Sequence, residues 1–253
     1  MLIAIDIGNT EIVIGLYKEN EILFTSRLET NRKITTDQYA MELNDILRLH
    51  NHSLKDIKSA VISSVVKNVG SKVIEAIKKY CEIMPIIVGI DTKVNFNLKI
   101  DEGQIVGADL ITGAVAVVEK YKLPAIVFDF GTATTVSVID REANFIGGII
   151  SPGIGISCEA LSGITGLPKI EFNKPNSIIG KNTIDSMLSG AIYGAASFID
   201  GMTERIQKEI GEECTIIVTG GLGEKIIDYT KNEVILNKDL LLEGLLIINK
   251  MNS

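Results

Sequence analysis

The sequence predicts an α/β protein built from two related halves that face each other across a cleft. Residues 3–10 read IAIDIGNT and residues 126–135 read IVFDFGTATT, so an apolar run, an aspartate, a glycine and a threonine-rich turn occur twice. Asp6 and Asp129 are separated by about half of the 253-residue chain. In each half, strand-like segments joined by short turns precede alternating helical and apolar segments, which is typical of α/β folds.

The first half is expected to follow the order βββαβαβ. Its first helix is the best defined, because Thr35 or Thr36 is a good N-cap and the apolar side chains recur at helical spacing. The expected elements are strands at 2–7, 12–17 and 21–28, a helix at 36–49, a strand at 59–66, a helix at 68–80 and a strand at 84–90. A helix at 107–121 is expected to connect the halves.

The second half is expected to repeat this order. The expected elements are strands at 125–130, 134–139 and 144–150, a helical region after Pro152, a helix at 183–210, a strand at 215–221, and helices at 222–229 and 238–250. Segment 163–182 lacks periodicity and is expected to be a loop. We therefore expect two domains, at 1–122 and 123–253.

Composition narrows the function classes. The net charge of −7 and the pI of about 5.0 disfavour a nucleic-acid partner, which needs basic patches. No apolar stretch reaches the roughly 18–20 residues that a membrane-spanning helix needs. The sequence begins in a strand without a basic leader, so we expect a cytoplasmic protein.

The cysteines and histidines do not form a catalytic pattern. Cys81, Cys158 and Cys214 are far apart and are expected to be thiols in a reducing compartment. His50 and His52 are the only histidines and lie at an expected helix end, where a structural or solvated role is expected. No histidine is therefore left for a serine–histidine catalytic system.

The repeated aspartate motif has the chemistry of a phosphate clamp. A glycine lets the backbone approach a ligand closely, and turn residues such as Asn9 and Thr10 offer donors to phosphate oxygens. A carboxylate beside them requires a cation between itself and the phosphate, and Mg²⁺ accepts such sparse carboxylate ligation. A single copy would favour a plain β-hairpin, but two copies half a chain apart favour the clamp.

Three further segments allow two interpretations each. Gly220 and Gly221 in TIIVTGG could hold the adenosine part of a nucleotide or form an ordinary strand-to-helix turn. Asp109 in GADLITGAVAVV could be a general base or a charge that complements the helix dipole. Segment 147–157, GGIISPGIGIS, could line a substrate pocket or simply pack tightly.

With these motifs in order, the chain resembles the acetate and sugar kinase, heat-shock chaperone and actin superfamily and, within it, the type III pantothenate kinases. The similarity covers essentially the whole length. The matching segments are DIGNT at 6–10, GAD at 107–109, DFGTATT at 129–135, GGIISPGI at 147–154, IGKNT at 179–183, SGAIYG at 189–194, TGG at 219–221 and LLLEGL at 240–245. The resemblance implies two duplicated actin-like (ribonuclease H-like) domains. It also implies ATP-dependent phosphorylation of pantothenate to 4′-phosphopantothenate, the first step of coenzyme A biosynthesis.

The resemblance further implies roles for individual residues. Asp109 would be the catalytic proton acceptor, Asp6 would bind Mg²⁺, and Asp129 would bind a monovalent cation, K⁺ or NH₄⁺. The residues that would bind ATP and its phosphates are Asp6, Gly8, Asn9, Thr10, Gly131, Thr132, Thr134, Gly220 and Gly221. Those that would bind pantothenate are Gly107, Ala108, Asp109, Leu110 and Thr183. The family forms homodimers with the acceptor pocket shared between subunits, so Thr183 would act in the partner's pocket.

Two positions depart from the family pattern. Leu110 stands where the family usually has arginine, and Ile100 stands where it often has tyrosine. Both departures fall in the acceptor pocket and neither in the nucleotide machinery. They leave open a kinase of the same fold for another small hydroxylated acceptor. A catalytically weak, nucleotide-binding regulatory protein is a third reading, which the presence of Asp6, Asp109 and Asp129 disfavours.

Overall fold

The computed structural model describes residues 1–89 and 91–253. The strands are β1 (Leu2–Ile7), β2 (Glu11–Lys18), β3 (Glu21–Glu29), β4 (Ser59–Ser64), β5 (Ile86–Ile87), β6 (Asn97–Leu98), β7 (Ala125–Phe130), β8 (Ala133–Ile139), β9 (Asn144–Pro152), β10 (Thr215–Thr219) and β11 (Ile235–Leu236). The α-helices are α1 (Thr36–Leu49), α2 (Lys67–Cys81), α3 (Ala108–Lys120), α4 (Ile154–Thr165), α5 (Thr183–Ile210), α6 (Gly223–Ile226) and α7 (Leu240–Asn252).

The chain forms two compact units. Unit 1 comprises Met1–Asn95, Asp101–Glu119 and Leu240–Ser253, and unit 2 comprises Phe96–Ile100 and Lys120–Asp239. Helix α7 therefore belongs to the unit that contains the N-terminal strands, and the short strand β6 belongs to unit 2. The domain boundary between residues 122 and 123 stays a prediction.

Unit 1 is built on a five-stranded sheet in the order β3-β2-β1-β4-β5. Strands β1, β2 and β3 are antiparallel neighbours, whereas β4 pairs in parallel with β1. The apolar side chains Ile3, Ile5 and Ile7 pack in one core with side chains of α1 and α2. Helix α1 begins where the sequence predicts, because Thr35 and Gln38 form a reciprocal capping box.

Unit 2 repeats this architecture. Its six-stranded sheet has the order β11-β10-β7-β8-β9-β6. Here β7, β8 and β9 are antiparallel neighbours and β10 pairs in parallel with β7, so the arrangement β9-β8-β7-β10 corresponds to β3-β2-β1-β4. Helix α5 packs against this sheet through Leu188, Ile192 and Ile199. The predicted duplication of an α/β unit is confirmed.

Several element ends differ from the prediction. The strand expected at 84–90 is limited to Ile86–Ile87 among the described residues, and residue 90 lies outside them. Thr92 Oγ1 ends it by accepting from Gly89 N at 2.9 Å and donating to Ile87 O at 3.2 Å. The strand expected at 59–66 stops at Ser64, whose hydroxyl bonds to the backbone of Val66. The helix expected at 222–229 is the short α6 followed by a 3₁₀ turn at Ile227–Tyr229.

Membrane-spanning helices were searched for over residues 1–89 and 91–253. None of the helices there combines the length and the apolar character that crossing a bilayer requires.

Candidate active site

Asp6 lies near the carboxyl end of β1, between two paired strands. It is opposite Val13 of β2 and Ser63 of β4. Because side chains alternate along a strand, Asp6 points to the face opposite Ile5 and Ile7, away from the core that they share with α1 and α2. Its side chain is nevertheless buried, with 8% exposure. A carboxylate in such a place requires a partner or a function.

The loop Gly8–Thr10 connects β1 to β2 beside this carboxylate. Gly8 N donates to Glu11 O at 2.9 Å. A Cβ at position 8 would lie only 3.1 Å from the same oxygen, which favours glycine in this tight turn. The side chains of Asn9 and Thr10 lie at the surface. The loop thus presents polar groups at the end of the strand that carries Asp6, as the sequence predicts.

Asp109 occupies the first turn of α3, in the same unit. Leu110 N donates to Asp109 Oδ1 at 2.8 Å, so the carboxylate folds back onto the helix N-terminus, where the helix dipole favours negative charge. A Cβ at position 107 would overlap this carboxylate oxygen, and Gly107 leaves the space for it. Leu110 itself is half-buried.

Asp6 and Asp109 are close enough for their charges to interact. Burial raises the pKa of Asp6 to about 6; the nearby hydroxyl of Ser63 opposes this rise, and the charge of Asp109 adds to it. Burial also raises the pKa of Asp109, although backbone N–H groups, including that of Leu110, partly offset the effect. A buried and a half-buried carboxylate with raised pKa values are typical of a site that receives a cation or a proton.

The second aspartate motif, in unit 2, forms a hairpin with a shorter loop. Only Gly131 and Thr132 separate β7 from β8, and Gly131 N donates to Ala133 O at 3.1 Å. Asp129 lies opposite Thr135 of β8 and Thr219 of β10. Its carboxylate therefore has hydroxyl-bearing residues on both neighbouring strands.

The TGG segment ends β10 directly against Asp129. Gly220 has a φ of +87°. A Cβ on it would lie 2.5 Å from Asp129 Oδ1 and 2.6 Å from backbone atoms of Phe130, whereas no heavy atom lies within 4 Å of the corresponding position at Gly221. Glycine is therefore required at position 220 for two reasons: its φ is in the left-handed region, and a Cβ would clash with Asp129 and Phe130.

The remaining predicted residues lie in the same unit as Asp129. Thr134 is buried and Thr132 is half-buried. In segment 147–157, a Cβ at Gly153 would overlap the carbonyl oxygen of Thr132, so this glycine packs tightly against the hairpin loop. Thr183 is the exposed first residue of α5, and the side chain of Asn182 caps that helix by accepting from Asp185 N at 2.9 Å.

Sequence reasoning missed four residues that contact the two motifs: Ser63, Thr30, Arg32 and Thr219. Ser63 is the penultimate residue of β4 and Thr219 is the last residue of β10, the parallel neighbours of β1 and β7. The rule that parallel strands end at one sheet edge could therefore have found both. Thr30 and Arg32 follow β3, and their contacts with the Gly8–Thr10 loop depend on tertiary structure.

Comparison with known proteins decides the family. The family model described as type III pantothenate kinase matches residues 2–205. The chain belongs to the type III pantothenate kinase family. A type III pantothenate kinase of Halalkalibacterium halodurans is 41% identical over 253 residues and covers 100% of both chains. One of Bacillus cytotoxicus is 39% identical over 254 residues, covering 100% of this chain and 97% of its own.

A solved structure shows the same fold at low identity. The activator of 2-hydroxyisocaproyl-CoA dehydratase from Clostridium difficile, with bound ADPNP, has a TM-score of 0.55 and 13% identity, covering 99% of this chain and 95% of its own. The fold of this type III pantothenate kinase family member is thus the duplicated actin-like α/β fold. Gly220 and Gly221 lie beyond the family-model match but within the full-length matches.

Proposed function

We propose that this chain transfers the γ-phosphoryl group of ATP to the primary hydroxyl of pantothenate, giving 4′-phosphopantothenate, the first step of coenzyme A biosynthesis. The observation that carries the proposal is a pair of carboxylates with raised pKa values, the buried Asp6 and the half-buried Asp109, in a chain that is 41% identical over its full length to a type III pantothenate kinase. A phosphoryl-transfer enzyme works mainly by positioning and charge neutralisation. Both functions suit this site.

Asp6 is the candidate ligand of the divalent cation that accompanies ATP. The donor set fits Mg²⁺, which keeps several waters and needs only one or two carboxylates beside the substrate phosphates. Bound there, Mg²⁺ would neutralise charge on the transferring phosphate. Within residues 1–89 and 91–253, the side chains that shift the pKa of Asp6 are Ser63 and Asp109, and neither is cationic, which supports a bound cation as its partner. Gly8, Asn9 and Thr10 would hold the phosphate oxygens.

Asp109 is the candidate proton acceptor. Its raised pKa makes it a better base than an exposed carboxylate, and the N–H of Leu110 fixes one carboxylate oxygen. It would orient the pantothenate hydroxyl and accept its proton late, as the new P–O bond forms. Gly107 and Ala108 would approach the acceptor through their backbone.

Unit 2 would supply the second set of contacts to ATP. Asp129 is the candidate ligand of K⁺ or NH₄⁺, while Gly131, Thr132 and Thr134 would contact the phosphates. Gly220 and Gly221 would allow the flat adenosine ring to lie against backbone without side chains. The requirement for bare backbone at Gly220 supports its place in this set, although it also serves the packing against Asp129.

A homodimer with a shared acceptor pocket is part of the proposal. None of the twelve α4 residues, all of them described, is buried, and Ile164 is 86% exposed with Ile156 and Leu161 nearby on the helix. An apolar helix face of this kind is typical of a protein interface. Thr183 would then reach the partner's pocket. Ile164→Glu should convert the dimer to a monomer in light scattering, whereas Leu49→Glu, at an 81% exposed site in unit 1, should not.

The deciding experiment measures ADP release by the purified protein with ATP and Mg²⁺, with and without pantothenate, in K⁺ and then in Na⁺ buffer. Turnover that requires pantothenate and K⁺ is the expected result. Asp109→Asn should abolish this turnover and leave ATP binding intact. Near-normal turnover of that variant would remove Asp109 as the proton acceptor.

One observation favours an alternative acceptor in place of pantothenate: the half-buried Leu110 stands where the family usually has arginine. A kinase of the same fold for another small hydroxylated compound would bind ATP and release no ADP with pantothenate. The same ADP assay with a panel of hydroxylated acids distinguishes the two. A protein that binds ATP but turns over with none of them would have a regulatory role.

The cytosol is the expected location. Cys81, Cys158 and Cys214 are all free thiols, which fits a reducing compartment.

A further inference from the structure

The segment after β3 holds the Gly8–Thr10 loop from both ends. Thr30 Oγ1 donates to Gly8 O at 2.7 Å, and Thr30 N donates to Thr10 O at 2.9 Å. Thr30 is buried, with 9% exposure, although it lies just beyond the end of its strand. The position two residues further along the chain is therefore fixed with respect to the loop.

Arg32 occupies that position and contacts the loop with its side chain. Its Nη2 donates to Asn9 Oδ1 at 2.9 Å. Its main-chain carbonyl accepts from Lys72 Nζ at 2.9 Å, and the same ammonium donates to Ile34 O at 2.7 Å. The backbone of Arg32 is thus anchored by one residue of α2, while its guanidinium extends onto the loop.

The hydrogen bond from Arg32 also determines what Asn9 can offer a ligand. A side-chain amide has one acceptor oxygen and one donor nitrogen. Because the oxygen is turned to Arg32, the two N–H groups of the amide face away from the guanidinium and can donate, which suits a phosphate oxygen. Arg32 therefore brings a positive charge to the loop and holds the acceptor oxygen of Asn9, which leaves its N–H groups to donate to an anion.

The charges nearby indicate which ligand would require this arrangement. Asp6 and Asp109 place two carboxylates in the same unit, and each has a raised pKa because of its burial. A polyphosphate bound beside them needs positive charge in addition to the cation held by Asp6. A guanidinium has five donors in a planar fork, so one hydrogen bond to Asn9 leaves donors for phosphate oxygens.

From these contacts we propose that Arg32 is a further binding residue for the terminal phosphates of ATP and that it orients Asn9 for the same purpose. The identity of the nucleotide rests on the proposed function. If Arg32 binds phosphates, its loss should reduce the affinity for a nucleotide more when the nucleotide carries more phosphate groups. A purely structural role would reduce all affinities alike.

The test compares Arg32→Gln and Arg32→Lys with wild-type protein by calorimetric titration of adenosine, ADP and ATP, each with Mg²⁺. Arg32→Gln should weaken ATP binding about tenfold, ADP less, and adenosine within twofold. Arg32→Lys keeps the positive charge but lacks the planar guanidinium, so its ATP affinity should lie between those of the wild type and Arg32→Gln. Arg48→Gln is the matched control, since Arg48 is an exposed arginine in the last turn of α1 and its loss should change none of the affinities.

Equal weakening of adenosine and ATP, or unchanged ATP binding by Arg32→Gln, would overturn the proposal. A melting temperature of Arg32→Gln within 2 °C of the wild-type value is also expected, because the side chain is exposed. The proposed function can fail separately. If wild-type protein binds ATP but releases no ADP with pantothenate, a phosphate-dependent loss in Arg32→Gln still upholds the role of Arg32.

Discussion

At the scale of single residues, the carboxylate of Asp6 has the clearest energetic consequence. Its pKa is raised from the ordinary 3.8 to about 6, chiefly by burial. Ionising it in the folded protein therefore costs free energy that the unfolded chain does not incur. Protonated Asp6 therefore contributes to the free energy of unfolding. This contribution is complete below the pKa of the unfolded chain and is lost as the pH rises through about 6.

Asp6→Asn should consequently stabilise the ligand-free protein at pH 8 by up to roughly 3 kcal/mol, since each pKa unit corresponds to about 1.4 kcal/mol. The stabilisation should disappear near pH 4. Thermal melts of both proteins across this pH range provide the measurement. Asp45→Asn, which removes the same charge from an exposed position on α1, is the control. Identical melting of Asp6→Asn and wild type at pH 8 would contradict the burial argument.

Leu110 is the residue at which acceptor specificity can be tested. Leu110→Arg introduces the residue usual in the family and should lower the KM for pantothenate by about tenfold or more, because a charged hydrogen bond contributes about 1.5–3 kcal/mol. The KM for ATP should remain within twofold. Leu110→Met keeps the apolar character and is the control. If neither KM changes in Leu110→Arg, Leu110 does not face the acceptor.

Much of the candidate site could be predicted from sequence because its residues lie in two short motifs. Asp6 and Asp129 lie near the ends of apolar strands and precede glycine turns, which is a local pattern. The burial of Asp6 and its contact with Ser63 could not be read locally, since both depend on the pairing of β1 with β4. Arg32 was missed for the same reason: 23 positions separate it from Asn9.

At the scale of elements, the turn after β10 depends on one glycine and not on its neighbour. Gly220→Ala would force a side chain into a left-handed conformation and against Asp129 Oδ1 and Phe130. We expect it to destabilise the protein by at least about 2 kcal/mol. Gly221→Ala, in open space, should change stability by less than about 0.5 kcal/mol. Urea unfolding of the two variants measures the difference, and equal midpoints would refute it.

Elements with strong end signals were predicted best. Helices α1 and α5 have the predicted bounds because Thr35 and Asn182 cap them and Gly211 ends α5 in a left-handed conformation. Strands β6 and β11, at Asn97–Leu98 and Ile235–Leu236, were not predicted. Each has two residues and exists only through pairing with a strand distant in sequence or across a loop, so it leaves no periodicity to detect.

At the scale of the whole molecule, helix α7 completes unit 1. It contacts β1, β2 and β4, and its side chains Leu240, Leu242, Leu245 and Ile248 are buried. Each such side chain contributes about 1.5–3 kcal/mol, so together they are comparable with the net stability of a typical protein.

Removal of residues 240–253 should therefore unfold unit 1. Hydrogen exchange of the β1–β4 amides is the measurement, and protection should be lost there. Deletion of Ser253 alone, an exposed residue, is the control and should leave exchange unchanged. Retained protection of β1 in the longer truncation would show that α7 is dispensable for the sheet.

The discontinuity of unit 1 has a consequence for biosynthesis. Strands β1 to β4 are synthesised before unit 2. Helix α7, which contacts β1, β2 and β4, follows the whole of unit 2 in the sequence. All segments of unit 2 are available once Asp239 has emerged from the ribosome. Unit 1 also needs Leu240–Ser253, which are synthesised later. We therefore expect unit 2 to complete its fold before unit 1 during translation, which reverses the usual order of N-terminal domain first.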